Sequence, residues 1–206
     1  MSANLLPVTS RPLREDILVR VKRETQEQHR LLESILPIAR ADFSLADYLF
    51  VLEKFLGIYR TLEPRISNVR GLLASLQLER RKKTALLEQD LTDLGMNQET
   101  LNSLPQAPVA FLAGVPEALG AMYVLEGATL GGQFISRVVG QRFGLDQQKG
   151  CRFFLSYGGE VGRMWNSFGE IVRSALGNVE EEDRFVATAI QTFSSFELWL
   201  RGKSNV

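Results

Sequence analysis

Apolar residues recur at helical spacing along almost the whole chain, and the alternation that marks a strand is scarce. This leaves an all-α domain as the architecture. A first helix spans about 13–36 and stops at Pro37. A second starts at Ser44, a capping residue with Asp47 as its acidic partner three positions on, and runs to Pro64. A shorter helix covers Ile66 to Leu76. Arg80 to Gly95 is amphipathic and closes on a glycine suited to a C-cap. Asn97 to Val115, with Pro105 and Pro108, reads as a long loop. Pro116 suits the first turn of a helix reaching Gly140. The next helix, from about Gly150 to Leu176, is interrupted by Gly158, Gly159 and Gly162. The last starts at Asn178, where Glu180, Glu181, Glu182 and Asp183 complement its dipole, and ends near Leu200. Residues 1–12 read as a disordered tail, 13–201 as a single domain and 202–206 as a C-terminal tail.

The chain has 206 residues, 45% hydrophobic and 23% charged, as expected of one soluble globular domain. Lys plus Arg and Asp plus Glu both total 24, so the basic excess needed for nucleic acid or a membrane surface is missing. The one cysteine, Cys151, cannot form an internal disulfide, and as a nucleophile it has only one possible imidazole partner. The N-terminus is polar, without the apolar core of a signal peptide, and no apolar run approaches the length of a membrane span. The expected home is the cytoplasm.

That imidazole, His29, is the only one in the chain, so two-histidine metal chemistry is excluded. A ferritin-like di-iron bundle, which needs two ExxH motifs, fails on the same count, and Gln26 stands three residues before His29. Lys22, Thr25, His29, Glu33 and Leu36 share one helix face. Two readings stay open: an ordinary histidine, or an axial ligand to a haem iron with Lys22 reaching a propionate.

The second unusual element is the helix holding Gly127, Gly131 and Gly132, each costing about 1 kcal/mol relative to alanine. Gly120, Val124, Gly127, Gly131, Ile135 and Val138 share a face. Such a strip suits either close helix packing or a bare wall against a planar ligand. It is not a phosphate loop, since no strand precedes it and no GxGxxG or GKS/T is present. Together the two helices suggest a sandwich, with an imidazole on one side and backbone on the other. An open sixth position would mean dioxygen chemistry rather than electron transfer. The cluster Arg80, Arg81, Lys82, Lys83 reads as a solvated helix end or as a dock for an acidic electron donor.

VKRETQEQHRLLE, Val21 to Glu33, resembles the proximal-helix motif of haem oxygenases, and LEGATLGGQFISR, Leu125 to Arg137, resembles their distal-helix motif. The resemblance is strongest to the bacterial branch often associated with bacteriophytochromes. YGGEVGRMW, Tyr157 to Trp165, and AIQTFSSFELWL, Ala189 to Leu200, agree with it. The resemblance implies a haem oxygenase-like helical bundle, with haem b between the proximal first helix and a glycine-kinked distal helix. It implies oxidative cleavage of haem to biliverdin, ferrous iron and carbon monoxide, using O2 and an external donor such as ferredoxin or a flavin reductase. The alternative is a haem carrier or sensor on the same fold, without turnover. A biliverdin-binding phytochrome is an implied product acceptor.

By the same resemblance His29 is the iron ligand, with Glu33 holding its other nitrogen. Gly127 and Gly131 lie over bound dioxygen, and Val124 and Gly132 line the haem. Lys22 and Arg137 anchor propionates, and Phe193 and Phe196 line the apolar side. Animal members carry an aspartate where this chain has Ala128. Backbone carbonyls and the Thr129 hydroxyl are therefore expected to hold the proton-delivering water.

Overall fold

Asp16 opens the first helix by accepting hydrogen bonds from the backbone N–H groups of Leu18 and Val19. The structure, a computed structural model, describes residues 15–72, 74–109 and 112–202. The expected N-terminal tail lies outside them, as do residues 203–206 of the expected C-terminal tail.

The expected first helix is two helices, α1 (Ile17–Glu24) and α2 (Gln26–Ile35), meeting at Thr25. The Thr25 hydroxyl donates to the Val21 carbonyl at 2.7 Å, the back-bonding that loosens a helix at threonine. Helix α2 buries none of its side chains.

Helix α3 (Leu45–Ser67) begins with the expected Ser44–Asp47 capping box. It runs through Pro64 because Ile66 and Glu63 beside the proline are both buried, so packing outweighs one lost hydrogen bond. The expected helix from Ile66 to Leu76 is absent. Gly71 at φ +87° breaks it, and only a 3-10 turn (Ala74–Leu76) follows.

The amphipathic segment forms α4 (Leu78–Arg81) and α5 (Thr84–Asp93). The expected loop contains α6 (Gln98–Ser103), capped by Asn97. Helix α7 (Val115–Phe143) is continuous through every interior glycine and ends at Gly144 with φ +67°. Short α8 (Arg152–Leu155), α9 (Val161–Ala175) and α10 (Val179–Leu200) complete the chain.

Helix α7 forms the centre, buried without a gap from Pro116 to Glu126 and packed along α10, with α8 and α9 on other sides. Phe55 of α3 gathers the rings of Tyr59, Phe153, Phe154 and Phe196 into the core. At the α3–α5–α8 junction, the Tyr48 hydroxyl donates to the Gly150 carbonyl at 2.9 Å beside buried Cys151. There Asp90 of α5, fully buried, accepts the backbone N–H groups of Arg152 and Phe153 and so caps α8 from across the fold. No strand occurs among the described residues, only isolated bridges at Asp146, and no described helix is long and apolar enough to cross a membrane.

Candidate functional site

The face of α7 that carries the glycine strip changes surroundings along its length. A Cβ on Gly120 would lie 2.3 Å from the Phe185 carbonyl oxygen, so here the glycine lets α7 and α10 touch backbone to backbone. Further along the same face, a Cβ on Gly127 or Gly131 would meet nothing within 4 Å. The packing reading of the strip therefore holds at Gly120, while Gly127 and Gly131 are bare.

Past its contact with Gly120, α10 continues to Phe193 and meets α2. The rings of Phe193 and His29 stand edge to face with centroids 5.7 Å apart. Helices α2 and α7 both lean on α10 but share no extended interface with each other. The Tyr123 hydroxyl of α7 meets that of Thr25, where α1 gives way to α2. His29 is 56% exposed, and its Nδ1 lies 3.4 Å from Glu33 Oε2, leaving Nε2 as the nitrogen for a metal.

Lys22 and Arg137 are exposed cations with no ion-pair partner among the described residues. Val124 is buried on the strip face of α7. Three expected residues are not brought to the open face. Gly132 points elsewhere: its Cβ would lie 2.5 Å from the Phe154 carbonyl oxygen, so it serves helix packing rather than ligand contact. Phe196 is in the core against Phe55. Thr129 lies two residues from both Gly127 and Gly131, which puts it on the far side of the helix. It is buried there, and its hydroxyl donates to the Glu126 carbonyl at 2.6 Å.

The basic cluster is not an open patch. Arg81 and Lys83 are buried, Arg80 pairs with Glu160, and Lys82 pairs with Glu79. Sequence reasoning missed Leu130 and Phe134, apolar side chains exposed beside the open glycines. Their signal was available, since both fall one turn from a strip glycine. It also missed Glu126, a charged residue inside the buried stretch of α7 and next to Gly127. Glu126 pairs with Arg81 and accepts the Tyr157 hydroxyl at 2.8 Å.

The chain is an all-α bundle with one exposed imidazole on α2 and bare backbone on α7, and the haem oxygenase family model matches residues 15–202. The chain belongs to the haem oxygenase family. It is 30% identical over 181 residues to Heme oxygenase PigA of Pseudomonas aeruginosa, covering 84% of this chain and 85% of that protein. Its fold is similar to the NO- and CO-bound haem oxygenase of Neisseria meningitidis, at TM-score 0.75 and 20% identity over 93% of this chain and 95% of that one. It is also similar to the haem oxygenase of Leptospira interrogans, at TM-score 0.74 and 17% identity over 91% and 99%. Haem oxygenase-1 of Synechocystis, solved in complex with haem, matches at TM-score 0.71 and 13% identity over 91% of each chain.

Proposed function

We propose that this chain performs the reaction of its family, opening haem to biliverdin, ferrous iron and carbon monoxide with dioxygen and an external reductant. The observation that carries the reading is the clear space at Gly127 and Gly131, which any other residue would begin to fill. A flat ligand needs that clearance, and the single imidazole of α2 supplies one axial nitrogen for it.

Bound haem supplies the iron that activates dioxygen and the porphyrin that is oxidised. The chain binds and orients it. His29 would ligate through Nε2, with Glu33 accepting from Nδ1 and fixing the tautomer. Lys22 and Arg137 suit the propionates, and Phe193 closes the apolar floor beside the imidazole. Gly127 and Gly131 keep the opposite side clear while admitting only a small molecule.

Ala128 offers no polar atom there, and the Thr129 hydroxyl is engaged on the far side. The acceptors left for a proton-delivering water along the strip are the second lone pairs of α7 carbonyls. A ferredoxin or flavin reductase would deliver electrons at a surface other than the paired Arg80–Lys83 cluster, and a biliverdin-binding phytochrome is a fitting acceptor for the product.

The test is to add haemin, then a reductant in air, and record the spectrum. Loss of the Soret band with growth of red biliverdin absorption is the expected result, and His29→Ala should abolish it. A Soret band that survives the reductant would mean a carrier or sensor. No Soret band at all would sink the haem reading.

A further inference from the structure

Behind Gly127, α7 is held by a buried ion cluster to which the haem reading assigns no task. The Arg81 and Glu126 side chains are 3% and 4% exposed and pair directly. Arg81 also donates to the carbonyls of Leu76 and Met164. Lys83, 2% exposed, donates to the Arg81 carbonyl at 2.9 Å and sets its ammonium 3.8 Å from the centre of the Tyr157 ring. The hydroxyl of that tyrosine is the one bonded to Glu126. Glu63 accepts the backbone N–H groups of Lys83 and Thr84, and the Thr84 hydroxyl at 2.6 Å. A cavity of about 20 Å³, room for one water, borders Glu63, Arg81 and Glu126.

Two cations thus face two carboxylates, and the balance depends on the Lys83 proton. Its ammonium has one hydrogen bond and one aromatic face, so the Tyr157 ring is the partner its charge holds. Building on the reading of Gly127 as a haem wall, we propose that Lys83 is a positioning residue. Its protonated ammonium clamps Tyr157 against Glu126 and thereby fixes the distal helix at Gly127. When the proton leaves, the ring is released and one carboxylate loses its counter-charge, and the slack reaches α7 through the Tyr157–Glu126 bond.

Burial pushes the Lys83 amine down to about 8, against the pull of Glu126 and Glu63 and with help from Arg81. The groups facing it are Arg81 of α4, Glu63 of α3, Glu126 of α7 and Tyr157, with Tyr59 of α3 behind them. Burial raises both tyrosines, away from this range.

Linkage makes the test sharp. Between about pH 8 and about pH 10 the unfolded chain keeps a lysine proton that the folded chain has released, so global stability rises with pH. The clamp predicts that local order in α7 falls over the same window. A residue with only a structural role would leave that local order unchanged or move it with global stability.

The experiment is amide hydrogen exchange on the haem-free full chain from about pH 7 to about pH 9.5, with intrinsic rates divided out, beside urea unfolding at each pH. Protection from Leu125 to Phe134 should fall about fivefold or more while the urea midpoint rises. In Lys83→Met both responses should vanish. Tyr157→Phe keeps the ring but not the hydroxyl, and should leave that stretch poorly protected at every pH. Should Lys83→Met fail to fold, Lys83→Arg keeps the charge and should hold protection through about pH 9.5. Protection in the unaltered chain that ignores pH, or a pH response that persists in Lys83→Met or Lys83→Arg, would overturn the proposal. Haemin added at about pH 7 tests the haem reading separately, because the exchange measurement needs no haem.

Discussion

Gly120, Gly127, Gly131 and Gly132 are the same residue on one helix with two different jobs. Alanine at Gly120 or Gly132 drives a methyl into the backbone of Phe185 or Phe154, and each should cost about 2 kcal/mol or more in urea unfolding. Alanine at Gly127 or Gly131 meets nothing, so each should leave stability unchanged or gain up to about 1 kcal/mol of helix propensity. Those two substitutions should instead weaken haemin binding in a Soret titration. If all four behaved alike, the division of the strip would be wrong. A reader of the sequence sees the cost of four interior glycines and the face that Gly120, Gly127 and Gly131 share. Where α10 leaves that face depends on residues more than fifty positions downstream, so which glycine packs and which stays bare is not legible.

Caps made by neighbours are the readable part of the elements. The Ser44–Asp47 box and the Asn178 cap appear where the residue types place them. Helix α8 is different, because its cap comes from Asp90 on α5, and nothing local marks it. Burial raises that carboxyl to about 6, although the Phe153 and Arg152 N–H groups and the Arg152 charge oppose it. The folded chain then holds a proton that the unfolded chain gives up from about pH 4, so Asp90 makes stability fall as pH rises to about 6. Asp90→Asn should flatten that slope in thermal unfolding. An unchanged slope would remove Asp90 as its source. The cluster from Arg80 to Lys83 makes the complementary point: its charge is visible in the sequence, but the burial of alternate members is not.

For the molecule as a whole, the Arg81–Glu126 pair ties the α4–α5 corner to the central helix. Removing either partner leaves a buried charge without its counter-ion, so Glu126→Gln or Arg81→Met should cost about 3 kcal/mol or more. The double variant should cost less than the two single costs added together, and strict additivity would mean the pair is not coupled. The helical class and the two unusual helices were open to reading because periodicity and rare residues carry them. That α2 and α7 both lean on α10 is a property of three helices together, and no single segment encodes it. Cys151 carries a practical consequence. It is the chain's one cysteine, wholly buried, with its thiol pushed up by burial to about 11. Maleimides attack exposed thiolates, so the folded chain is a blank background for labelling. A fluorophore on a cysteine introduced at exposed Phe134 would be the sole tag, one turn from Gly131, where on the haem reading an arriving porphyrin would quench it.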